Sequence, residues 1–81
     1  MNVYKTQLMA NMKMVSYNKL WKRMIDCGLN KTQLREMSGV STNAIAKMGK
    51  GENVSMDVLI KICKALQCDI ADVVEIVDTK A

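Results

Sequence analysis

The chain contains no histidine, no proline and no phenylalanine. The absence of histidine removes the side chain most often used for proton transfer near neutral pH and the commonest metal ligand. The three cysteines, Cys27, Cys63 and Cys68, have no second cysteine pair and no imidazole to complete a zinc set. An odd number without paired spacing also argues against a disulfide framework and suits a reducing, cytoplasmic setting. No apolar run approaches the ~18 residues of a membrane span. The N-terminus lacks the continuous apolar core of a signal peptide. There is no glycine-rich phosphate loop, no nucleophile with a base beside it and no paired-carboxylate site, so the chain is not expected to be an enzyme. Nothing in it calls for a cofactor or a metal. Strand-favouring runs are scarce, while Leu, Met, Lys, Ala and Gln are plentiful, which leans helical.

Eighty-one residues, 49% of them hydrophobic and 25% charged, make one small domain with a compact core. The net charge of +4 is unevenly spread. Residues 1–50 carry nine basic and two acidic side chains, and residues 51–81 carry three basic and six acidic ones. A balance of +7 beside one of −3 is what a face turned to a polyanion produces, and also what solvated helix surfaces produce. Charge alone leaves both readings open.

One pattern recurs five times. An apolar residue precedes a capping residue, and another apolar residue follows four positions after the cap. The instances are Val15-Ser16 with Leu20, Leu29-Asn30 with Leu34, Val40-Ser41 with Ile45, Val54-Ser55 with Leu59, and Cys68-Asp69 with Val73. Ser, Asn and Asp accept hydrogen bonds from the open amides of a first helical turn, and the apolar pair staples the entering chain. Gln33, three residues after Asn30, completes a capping box. Gly28 and Gly39 are placed to close helices in the left-handed conformation. The pattern predicts helices over 17–27, 31–38, 42–49, 56–66 and 70–75. Their apolar faces would comprise Tyr17, Leu20, Trp21 and Met24; Leu34 and Met37; Ile45 and Met48; Leu59, Ile62, Cys63 and Leu66; and Ile70, Val73 and Val74. The stretch Val74–Val77 alternates, and reads either as a short strand or as the frayed end of the fifth helix. Residues 1–14 carry four methionines and little periodicity, and are expected to be an extension that is disordered or touches a partner. The domain would then span 15–77, with 78–81 as a tail.

Only Gly39, Val40 and Ser41 separate the second and third helices. So short a connection makes two helices cross steeply, as in a helix-turn-helix, and leaves the start of the third helix projecting. That helix puts Thr42, Asn43 and Lys47 outside and keeps Ile45 and Met48 as apolar anchors. The DNA major groove admits one helix. Asn can bond N6 and N7 of adenine, Lys can bond O6 and N7 of guanine, and the methyls of Thr, Ala44 or Ala46 suit thymine. Asn and Thr at a helix start also serve simply as first-turn formers.

The segment LREMSGVSTNAIAKMGKG followed by SMDVLIKICKALQCDIADVVE resembles the phage-repressor and Cro-like helix-turn-helix family, also called the XRE family. The matching framework is Leu34, Gly39-Val40-Ser41, Ile45, Gly51, the Leu59, Ile62, Leu66 stripe and the closing Asp-Ile and Asp-Val-Val. It extends over about residues 16–76. The resemblance implies an all-α, five-helix, lambda-repressor-like domain with the helix-turn-helix at its second and third helices. It implies a small, dimeric, sequence-specific regulator of transcription that binds double-stranded operator DNA. Carried over by position, Thr42 and Asn43 would lead base reading and Lys47 would follow one turn on. Lys50 would meet phosphate, as would Ser41 at the cap, and Lys31 with Thr32 beside it would touch the backbone from the second helix. Three positions depart from the pattern: Arg35 where a small alanine is common, Lys31 in place of a first-turn glutamine, and Gly49 at the end of the third helix. A scaffold does not fix a function. A protein-binding module, such as an antitoxin or a phage-encoded inhibitor, is the alternative.

Overall fold

The computed structural model describes residues 11–80. The chain runs β1 (Asn11–Ser16), α1 (Asn18–Cys27), α2 (Lys31–Ser38), α3 (Thr42–Gly49), α4 (Met56–Leu66), a 3₁₀ turn (Ile70–Asp72) and β2 (Glu75–Lys80). The expected bounds of α2, α3 and α4 are met to the residue. Residues 1–10, most of the expected N-terminal extension, lie outside the described residues.

Local hydrogen bonds explain why these helices start where they do. Asn30 Oδ1 accepts from the Gln33 amide at 2.8 Å, and Gln33 Oε1 accepts from the Asn30 amide at 2.9 Å, a reciprocal capping box. Ser41 Oγ accepts from the Ala44 amide at 3.0 Å, and Ser55 Oγ from the Val58 amide at 3.2 Å. The stops are equally local. Gly28 and Gly39 close α1 and α2 at φ 72° and 76°, a region side chains rarely occupy. Gln67 closes α4 in the same left-handed conformation without being glycine, at φ 53°.

The all-α, five-helix expectation is corrected at the C-terminus. The segment expected to form a helix over 70–75 makes a single 3₁₀ turn and then a strand. Asp69 and Asp72 cap the turn reciprocally, so the start signal is real. The residues after the turn, Val73-Val74 and then Ile76-Val77, are β-branched and favour extension. A partner strand is also at hand. β2 pairs antiparallel with β1 from Asn11↔Lys80 to Ser16↔Glu75. Residues 11–14, set apart from the helical body in sequence, thus contribute the first part of β1.

The strand also displaces the start of α1. Tyr17 is the single residue between β1 and α1, and it occupies the cap position without a side-chain cap bond. Ser16, expected to cap, instead accepts weakly from the Asn18 amide at 3.3 Å.

The core is continuous across all these elements. Leu20, Leu34, Met48, Ile62 and Val73 are fully buried, one each from α1, α2, α3, α4 and the turn before β2. α2 packs on α3 and on α4, which carries the two buried residues Leu59 and Ile62. The sheet is held to this core by Val15 of β1 and by Val74, the residue just before β2. A two-stranded sheet alone is marginal in water, so that anchoring matters. Met37, expected inside, is 51% exposed, because Leu34 alone fills the inward face of a helix only two turns long. The Tyr17 ring is buried and its hydroxyl donates to the Glu52 carbonyl at 2.7 Å, tying the start of α1 to the loop after α3. Burial pushes the Tyr17 phenol above its ordinary value, partly offset by the backbone at Val54.

Truncating Ile62 to Ala leaves a void where α2 and α4 meet. Urea unfolding is expected to show a loss of about 2–5 kcal/mol with an unchanged urea dependence.

Candidate nucleic-acid interface

α3 divides sharply into two faces. Ala44, Ile45 and Met48 are buried, while Ser41, Thr42, Asn43, Ala46, Lys47 and Lys50 are exposed. Ala44 is therefore core, which removes its methyl as a candidate for thymine and leaves that of Ala46. The Ser41 hydroxyl is engaged in its cap, which orients the first turn and leaves the side chains of Thr42 and Asn43 facing out. Asn43, Lys47 and Ser41 border a groove of about 220 Å³ whose far wall is Val54, Ser55 and Val58. The start of α4 thus flanks the outer face of α3, an element of the site that Ser55 did not signal because it read only as a cap.

The connection Gly39-Val40-Ser41 does what its length requires. Gly39 turns the chain, Val40 is buried at 4% exposure, and Ser41 begins the next helix. Val40 acts as a pin between the two helices. Together with the buried Ala44, Ile45 and Met48 it fixes the outer face of α3 relative to the body.

Two of the departures from the family pattern are neighbours in space. The Lys31 ammonium lies 4.8 Å from the centre of the Trp21 ring, over its face. A side chain at Gly49 would meet Lys31 Nζ at 3.2 Å. Lys31 extends across the end of α3, where glycine leaves room for it, and is steadied by the quadrupole of the indole. Its backbone opens α2, as expected, and its side chain is exposed, but the ammonium is also held by Trp21. No sequence spacing links positions 21, 31 and 49, so this arrangement had no signal. Thr32, beside it, is exposed at the start of α2. Arg35 is half-buried, an intermediate answer to the demand that its long side chain run outward.

The ion pairs sort the basic residues. Lys19 approaches Glu75 at 3.7 Å, Arg23 approaches Asp72 at 3.6 Å, and Lys61 pairs with Asp57 at 3.3 Å. The acidic C-terminal segment is thus folded back on α1, where it offsets part of the basic charge of residues 1–50. Among the described residues, Lys31, Lys47 and Lys50 have no carboxylate within ion-pair distance. The same holds for Lys22 of α1, Arg35 of α2 and Lys64 of α4, so four of these six basic side chains lie on α2, on α3 or at the end of α3. Among the described residues there is also no cluster of three or more His, Cys, Asp or Glu side chains able to hold a metal, and no helix long and apolar enough to cross a membrane.

The family model for the Cro/C1-type helix-turn-helix DNA-binding domain matches residues 19–79, most of the chain. The chain belongs to the Cro/C1-type helix-turn-helix family. Among solved structures, the chain is similar to the crystal structure of the transcriptional regulator VanUg. The two share 51% identity over 83% of this chain and 89% of that one, with a TM-score of 0.79. A search of curated proteins gave no match. Among the described residues the Cro/C1-type fold is predominantly helical, with four α-helices and a small two-stranded sheet.

Gly49→Ala tests the Lys31 contact. The Lys31 side chain is flexible and can move away from a new methyl group, while alanine suits a helix better than glycine. Thermal denaturation is expected to show a gain of about 0.4–1 kcal/mol. Trp21 fluorescence should shift as the ammonium leaves the ring; an unchanged spectrum would mean that Lys31 does not rest there.

Proposed function

We propose that this Cro/C1-type domain is a sequence-specific regulator of transcription that acts as a small dimeric repressor and sets α3 into the major groove of operator DNA. The observation that carries this reading is the division of α3. Its apolar side is consumed by the core, and its outer side offers Thr42, Asn43, Ala46 and Lys47, which are short or cationic groups suited to base edges. Thr42 and Asn43 lead, Lys47 follows one turn on, and Lys50 takes a phosphate at the helix end. Ser41 meets the backbone beside the open amides of the α3 start. Lys31, with Thr32, contacts the backbone from α2, and its steadied ammonium supplies charge at a set place. The relation to a transcriptional regulator at 51% identity supports the same role.

The dimer is proposed through the sheet. Both strands are edges, and edges carry unpaired backbone groups. Met14 and Ile76 are exposed on it, at 46% and 65%. Doubling the contacts is also what a domain this small needs for tight operator binding. A strictly monomeric mass in sedimentation at tens of micromolar would overturn this part of the reading.

Selection from a random duplex pool at near-physiological salt is expected to enrich a two-fold symmetric motif with half-sites about one helical turn apart. Asn43→Ala should cost about 1–3 kcal/mol on that site and relax its sequence. Lys50→Ala should weaken all duplexes alike and lower the salt slope by about one. Enrichment of no motif, with binding only at low salt, would leave general electrostatics and turn the search to a protein partner.

A further inference from the structure

The end of α4 is closed by two backbone bonds that cross the left-handed Gln67. The Cys68 amide donates to the Cys63 carbonyl at 3.0 Å, and the Gln67 amide donates to the Lys64 carbonyl at 3.4 Å. This is the Schellman arrangement, which brings the side chains at its two outer positions into contact. Those positions are normally filled by a pair of apolar side chains. Here both are thiols. Cys63 and Cys68 are free and half-buried, and both line a cleft of about 470 Å³ between α4 and the 3₁₀ turn. The third cysteine, Cys27, is exposed at the end of α1 and has no such neighbour in the cleft.

We propose that Cys63 and Cys68 form a dithiol modification site, which a small disulfide of the glutathione class converts to an intramolecular disulfide. The exchange balances without any other reactant. One thiolate attacks the oxidant's sulfur, breaking its S–S bond and releasing one small thiol. The second protein thiol then attacks the mixed disulfide, forming the Cys63–Cys68 bond and releasing the other small thiol. The protein loses two electrons and two protons, and the small disulfide takes up both pairs. Burial first, then the adjacent Cys68 and the carboxylates of Asp69 and Asp72, push the Cys63 thiol up. Cys63 therefore suits the second step, in which its target is already held beside it, better than the first. The new bond ties the last turn of α4 to the segment entering the 3₁₀ turn, at the mouth of the cleft, and leaves α2 and α3 untouched.

The test uses the full chain carrying Cys27→Ser, incubated with glutathione disulfide, alkylated and digested with trypsin without reductant. Cleavage after Lys61, Lys64 and Lys80 places Cys63 in peptide 62–64 and Cys68 in peptide 65–80. The expected product is these two peptides joined, separable by reductant, in a protein that has lost two hydrogens and whose yield is unchanged on dilution. Cys63→Ala and Cys68→Ala should each instead accumulate a lasting glutathione adduct on the remaining thiol. Lasting adducts in the parent protein, a covalent dimer, or no reaction while an unfolded sample reacts fully would each overturn the proposal.

Discussion

Three residues, Gly39, Val40 and Ser41, must end one helix, reverse the chain and start the next, and every other part of the structure answers to that constraint. Gly39 supplies the left-handed turn, Val40 supplies a buried pin, and Ser41 supplies the acceptor for the next helix start. Once α2 and α3 are held at that angle, their inner residues Leu34, Ile45 and Met48 need a common floor. α4 provides it through Leu59 and Ile62. The outer residues of α3 are then left facing away from the body by default. The outward surface of α3 is in this sense a by-product of the core: because Ala44, Ile45 and Met48 must go in, Thr42, Asn43 and Lys47 must stay out.

The electrostatics follow the same division. The acidic residues after position 68 return to α1, where Glu75 and Asp72 reach Lys19 and Arg23. These pairs are largely exposed and contribute little to stability. Their effect is to pair two cations of α1, while Lys31, Arg35, Lys47 and Lys50 on the α2–α3 side, with Lys22 and Lys64, stay outside ion-pair distance of a carboxylate. The basic half of the sequence is therefore not uniformly basic as a surface.

Helix boundaries were legible because the signals that set them are local. Asn30 with Gln33, and Ser41, Ser55 and Asp69 at their caps, act within three residues, and all make the side-chain bonds that their spacing implies. The exposed residues of α3 could be read for the same reason, since a helix of known phase has a known outside. The features that escaped such a reading depend on distant partners. Asp69 starts a turn, but whether a helix continues depends on β1, which is nearly the whole chain away. Ser16 reads as a cap only if no strand precedes it. Lys31, Trp21 and Gly49 meet across three elements with no periodicity to announce it. Ala44 is small enough to pass as a surface residue until the packing of α3 against the body places it inside.

The pairing of β1 with β2 has a consequence for how the chain is made. The nearest rung joins Ser16 to Glu75, and the farthest joins Asn11 to Lys80. During synthesis β1 emerges early and must wait, unpaired, until almost everything else has followed it. The helices close their contacts over shorter separations, α2 with α3 and then with α4, although helices this short need that packing to persist. Among these elements the sheet is therefore the pairing that becomes possible last. Until then, Val15 and the open edge of β1 are available to any other chain that offers an extended partner.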